Sequence, residues 1–175
     1  MLPDSTLKTA KGRLYGFWGT RTEDLLLRGG VPVGLFPFFY VCITNNKDLA
    51  ECVDDPRLVE GSAISVLTIA RDMVHQGWKL VASPLYGNFK PAQQPYRTLI
   101  LSRRDENTQI SADSYSLELI ESAMNIFREC EIKRIPGDMP DQIDIDYKYV
   151  DFALMEDTLR ECGILRCDLR RCTRG

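Results

Sequence analysis

The chain has 175 residues, 44% hydrophobic and 27% charged, with 22 Lys and Arg against 25 Asp and Glu for a net charge of −3. That is the composition of an ordinary globular protein, long enough for one domain whose core needs no staples. The faintly acidic balance supplies no footprint for nucleic acid, no apolar run reaches the roughly 18 residues of a membrane span, and six cysteines are too sparse for a disulfide scaffold.

Residues 1–36 read as an N-terminal arm or extension. Gly12, Gly16, Gly19, Gly29, Gly30 and Gly34 interrupt any long element there, and Phe17 and Trp18 are its candidates for packing on a core. Leu2 to Gly12 lacks the apolar stretch of a signal peptide and carries Lys8 and Lys11, so the expected location is cytoplasmic. Residues 37–175 read as a single α/β domain. It opens with Phe38 to Ile43, aromatic and β-branched, a buried strand that ends in the turn chemistry of Thr44-Asn45-Asn46. Lys47 to Val53 reads as a short helix and Arg57 to Glu60 as a second strand.

Ser62 to Gln76 is the clearest helix. Ser62 stands at the N-cap and Gly77 just past the end. At about 100° per residue, Ala63, Val66, Leu67, Ala70, Met73 and Val74 fall on one arc, with the polar side chains opposite. Lys79 to Ser83 and Tyr96 to Ser102 read as strands. The segment between them shows no helical pattern, so the pair is expected to be antiparallel.

A second firm helix spans Ser114 to Cys130, with Leu117, Ile120, Met124 and Phe127 on one stripe. Ile132 to Asp144 carries Pro136, Gly137 and Pro140 and reads as a connector. The last helix is expected over Tyr147 to Cys162, with Val150, Leu154 and Thr158 or Leu159 at helical spacing, closed by Gly163. Alternating strands and helices predict a three-layer α/β/α-like domain on a mixed, mostly parallel sheet of about four or five strands.

Several chemistries are excluded. The chain has no dinucleotide fingerprint after a strand, no phosphate-binding loop and no serine elbow. With His75 as the one histidine, a histidine-rich zinc centre cannot form. Cys162, Cys167 and Cys172 have metal-compatible spacing but no evident fourth ligand, and read as incidental thiols of a tail. Arg166, Arg170, Arg171 and Arg174 read as a solvated end, and Asp144, Asp146 and Asp151 as solvated carboxylates. Cys42, Cys52 and Cys130 read as small core residues. No metal, cofactor or catalytic residue is assigned.

Three segments are expected on the rim formed by the strand ends, where open α/β sheets bind ligands. These are Thr44-Asn45-Asn46, the helix start at Ser62, and the loop that contains Tyr86, Gly87, Asn88, Lys90 and Tyr96. A helix N-terminus favours anions, Lys90 adds a full charge, Gly87 lets the backbone approach closely, and the asparagines offer amide donors. The expectation is a small anionic or polar ligand. The competing reading is turn chemistry and a hairpin loop stiffened by Pro84, Pro91 and Pro95. A second polar group, Arg71, Asp72 and His75, lies near the helix C-terminus. There it serves either to complement the helix dipole or as a catalytic or partner contact.

A series of short stretches carries a resemblance. They are Thr44-Asn45-Asn46, Arg71-Asp72-Met73-Val74-His75-Gln76-Gly77, Lys79-Leu80-Val81, Pro84-Leu85, Gly87-Asn88-Phe89-Lys90-Pro91, Pro95-Tyr96-Arg97 and Ser116-Leu117-Glu118-Leu119-Ile120-Glu121. In order and spacing, residues 44–127 resemble the GrdX family. Ser83 stands where the family usually has His before Pro-Leu, and Ala92 where it often has Asn. The family is known mainly from its place beside the genes of the glycine, sarcosine and betaine reductases. The resemblance therefore implies an accessory protein of amino-acid metabolism with reductase components as partners, by association and not by mechanism. The alternatives are a small enzyme acting on an anionic amino-acid-derived metabolite through Lys90, Tyr96 and His75, and a protein–protein adaptor using the aromatic arm.

Overall fold

The computed structural model describes residues 38–87, 89–104, 111–130 and 134–167. The arm with Phe17 and Trp18, as well as Asn88 and Cys172, lies outside the described residues. Strand β1 (Phe38–Thr44) pairs antiparallel with β4 (Thr98–Arg104) along its whole length, from Phe38 opposite Arg104 to Thr44 opposite Thr98. Two short strands complete the open sheet. β2 (Arg57–Leu58) joins the end of β1 in parallel, and β3 (Lys79–Leu80) joins β4 antiparallel, giving the order β2-β1-β4-β3.

The sheet is mixed, but one pairing of the three is parallel, so the mostly parallel character expected from the sequence is not what the pairings show. The reason is the link from β3 to β4. It holds one 3-10 turn (Pro91–Gln93) and no helix, so the chain reverses instead of crossing over. The antiparallel arrangement expected of those two strands is the observed one.

Among the described residues, four α-helices flank the sheet: α1 (Lys47–Glu51), α2 (Ala63–His75), α3 (Ser114–Glu129) and α4 (Asp141–Glu161). The alternation of β1 and β4 divides the core. Ile43, Leu99 and Leu101 pack with residues of α2 and α3, while Cys42 and Ile100, on the opposite pleat, pack with residues of α1 and α4. All six residues of the predicted α2 arc are buried. Ser62 occupies the N-cap, but its hydroxyl makes no cap bond, and its carbonyl receives Ser65 N at 3.0 Å instead. On α3, Asp113 does cap. Its carboxylate accepts from Ser116 N at 3.0 Å and Ser116 Oγ at 2.7 Å. Those bonds, with Lys79 Nζ at 3.0 Å, hold its carboxyl below the ordinary value. Ser116 Oγ in turn accepts from Leu80 N, which fastens the edge strand to the helix.

The last helix departs most from expectation. It begins at Asp141, and its buried side is Asp151, Phe152, Met155 and Leu159, whereas Leu154 is 37% exposed. Polar side chains on the inward face hide the true stripe from an apolar pattern. The chain then returns to α1: Asp54 N donates to Ile164 O at 2.8 Å and Arg166 N to Cys52 O at 2.7 Å. Cys162 is therefore a core residue and not an incidental tail thiol, and burial followed by Glu161 pushes it up to about 11. Arg166 is ion-paired to Asp54 at 2.5 Å. Cys42 and Cys52 are fully buried as expected, and Cys130 is half-buried. Among the described residues, no helix is long and apolar enough to cross a membrane.

Candidate functional site

Where β1 ends, Thr44, Asn45 and Asn46 are all buried, and each is tied to a different part of the chain. Asn45 Nδ2 donates to Gly61 O and to Pro95 O, both at 3.0 Å, and its Oδ1 accepts from Arg97 N at 2.7 Å. One side chain thus holds together the strand end, the approach to α2 and the end of the Gly-Pro loop. Asn46 Oδ1 accepts from Leu49 N at 3.3 Å to cap α1. Its Nδ2 donates to Lys148 O at 2.9 Å and Asp151 Oδ2 at 3.0 Å, which anchors α4.

A buried polar chain continues below. Thr98 Oγ1 donates to Asp151 Oδ2 at 2.8 Å, so the 2.7 Å contact between the two threonines uses the proton of Thr44, which also accepts from Asn46 N at 3.0 Å. Tyr86 donates to Asp151 Oδ1 at 2.5 Å and accepts from Thr98 N at 2.6 Å. Its ring lies 4.4 Å from the guanidinium of Arg97, which faces Phe127 at 5.3 Å. Arg97 is 1% exposed and donates to Pro84 O and Gln94 Oε1. Asp151 thus receives three donors, although burial outweighs them and keeps its carboxyl above the ordinary value.

Over this floor lies an open cleft of about 290 Å³, formed by Asn45, Lys47, the stretch from Leu58 to Gly61, Tyr96, Pro136, Gly137, Asp144 and Lys148. Tyr96 donates to Asp144 Oδ1 at 2.5 Å, and Lys148 Nζ lies 3.0 Å from Asp144 Oδ2, 3.4 Å from Asp48 and 5.9 Å from the Tyr96 ring centre. Burial, then the Asp144 bond, pushes the Tyr96 phenol well up, so its proton stays. For Asp144, burial acts upward but is outweighed by the bonds from Tyr96 and Lys148, and the carboxyl is held below its ordinary value. For Lys148, burial acts downward but the two carboxylates win, and it stays charged.

The family profile described as GrdX-like protein matches residues 41–160, more than half of the chain and every segment that builds the cleft and its floor. The chain belongs to the GrdX-like family. The match begins and ends beyond the 44–127 span of the sequence resemblance and takes in α4. Comparisons with curated proteins and with solved structures return no match.

The expected site residues of this GrdX-like protein separate into groups. Asn45 and Tyr96 line the cleft. Thr44, Asn46 and Tyr86 belong to the network beneath it. Ser62 follows the lining residue Gly61 without being part of the lining. Gly87 and Lys90 are not lining residues either. Gly87 lies against Leu154, and Lys90 is exposed at the start of the 3-10 turn. Asn88 lies outside the described residues. Arg71, Asp72 and His75 sit at the far end of α2, about 12–18 Å along its axis from Ala63. Arg71 pairs there with Asp72 at 3.1 Å and with Glu121 of α3 at 3.5 Å.

In place of Lys90, the cations at the cleft wall are Lys47 and Lys148. Asp144, Lys148 and Asp151 had no place in the predicted site, and Asp151, read as solvated, is 3% exposed. Their spacing of four and three residues puts them on one helix face. That signal was readable, but it requires the helix to start before Asp144.

Proposed function

We propose that this GrdX-like protein is an accessory protein that binds a small polar ligand in the cleft at the ends of β1 and β2. By family association, it works in glycine-reductase-linked amino-acid metabolism with reductase components as its protein partners, and its expected location is the cytoplasm. The observation that carries the binding reading is Asn45. It ties two remote segments, Gly61 and Pro95 to Arg97, to its own strand end in one polar rim directly at the cleft, a construction with more parts than a turn needs. The enzymatic alternative loses support from the same geometry. Of Lys90, Tyr96 and His75, only Tyr96 reaches the cleft, and its proton is engaged with Asp144. A second reading, a protein–protein adaptor, is favoured by the apolar loop residues Leu85 and Phe89, 36% and 50% exposed, with Phe89 and Leu154 of α4 both beside Gly87.

A thermal-shift screen with carboxylates, phosphate, amino acids and nucleotides tests the binding reading. A ligand at about a hundred times its Kd adds about 2.7 kcal/mol, or roughly 5–10 °C for a chain this size. Leu58→Trp fills the cleft from the exposed edge strand without touching the polar floor and is expected to abolish the shift. A panel without effect, or a shift that survives Leu58→Trp, overturns the proposal.

A further inference from the structure

The polar groups of the cleft divide into those already satisfied and those with capacity to spare. Asn45 uses both amide hydrogens and its carbonyl oxygen on backbone groups. Asp144 accepts from Tyr96 on one oxygen and meets Lys148 on the other, and Tyr96 has its one proton on Asp144. Lys148 is held between Asp144 and Asp48. Two lining side chains remain, Lys47 and Glu60. Both are exposed, and neither has an ion-pair partner among the described residues.

These two carry opposite signs, and so does the wall behind them. Lys47 and Lys148 balance Glu60 and Asp144 across the lining. A ligand of one sign meets a like charge for every opposite one, and the contributions cancel. A molecule with one group of each sign gains from both. Leu58, Val59 and Pro136 supply apolar wall for a short carbon skeleton. The cleft volume of about 290 Å³ is at the lower limit of small-molecule pockets. Resting on the binding-site reading above, we infer that the ligand is a small zwitterion, its carboxylate toward Lys47 and its ammonium toward Glu60. A multiply charged phosphate compound is the class this balance rejects.

The test is an amide-shift NMR titration of the full chain with a matched set: glycine, β-alanine and γ-aminobutyrate as zwitterions, propionate as the anion and propylammonium as the cation. The reporters are the amides of Gly61 and Gly137, both lining the cleft. At least one zwitterion is expected to saturate these shifts with a Kd threefold or more below those of propionate and propylammonium, the margin of an exposed ion pair being about threefold. Glu60→Gln is expected to erase the margin over propionate and Lys47→Gln the margin over propylammonium. Both are exposed side chains whose loss leaves the floor intact. Propionate binding as tightly as the best zwitterion, or a margin that survives both substitutions, overturns the zwitterion while the binding cleft stands. Glycine amides that move with none of the compounds overturn the cleft itself, and the zwitterion with it.

Discussion

Asn45→Ala is the sharpest perturbation of this molecule. The substitution removes three hydrogen bonds, at 2.7, 3.0 and 3.0 Å, from a side chain that is 6% exposed. At about 1 kcal/mol net for each bond, the loss is about 3 kcal/mol, and it rises toward about 4 because Arg97 N–H and Pro95 O are left buried without that partner. For a chain of this length the midpoint falls by roughly 10 °C. Asn45→Asp discriminates further. It keeps the acceptor for Arg97 N but replaces the donor with an oxygen that faces two carbonyl oxygens, so at neutral pH it is expected to be at least as damaging as Ala despite its shape. Acid partly relieves it, because the carboxyl that this substitution introduces, once protonated, again donates to one carbonyl. Urea unfolding of both variants measures these losses. A loss below about 1 kcal/mol for Asn45→Ala, or a milder effect for Asn45→Asp at neutral pH, refutes the claim that this side chain holds the rim together.

Gly87 has φ +76°, and a Cβ there comes within 3.0 Å of Leu154 Cδ1, so Gly87→Ala is expected to cost about 1–2 kcal/mol in the same assay, where Ser83→Ala has little effect. The Asp151 carboxyl is held above its ordinary value by burial, against the bonds from Tyr86, Asn46 and Thr98 and the nearby Arg97. A raised folded value means that the native state holds the proton more tightly. This contribution is therefore complete below about pH 4 and is lost as pH rises through the folded value. Wild-type stability relative to Asp151→Asn should fall with rising pH above about 4, and a rise would contradict it. Burial raises the Cys42 and Cys162 thiols, so both are expected to resist alkylation in the native state at neutral pH and to react after unfolding, as read by mass spectrometry.

The two regular helices were legible because their information is local. The buried arc of α2, from Ala63 to Val74, and the stripe from Ile120 to Phe127 on α3 repeat at the helical period, and each face is decided by residues within one element. The end of β1 was legible for the same reason, through the turn residues Asn45 and Asn46, whereas β2 and β3 stop at Leu58 and Leu80, short of the expected Glu60 and Ser83, and β4 runs from Thr98 to Arg104 instead of from Tyr96 to Ser102. The face of α4 was not, because its inward side carries Asp144, Lys148 and Asp151, and an amphipathic pattern assigns such residues to solvent. What makes them inward is a set of partners remote in the chain. Asn46 reaches Asp151 across 105 positions, Thr98 reaches it across 53, and Asn45 reaches Pro95 across 50. A buried polar group is tolerated only when its hydrogen bonds are met. Periodicity shows where a side chain points along its own helix, but only the tertiary structure supplies the donors that let Asp151 point into the core and leave Lys90 outside the cleft.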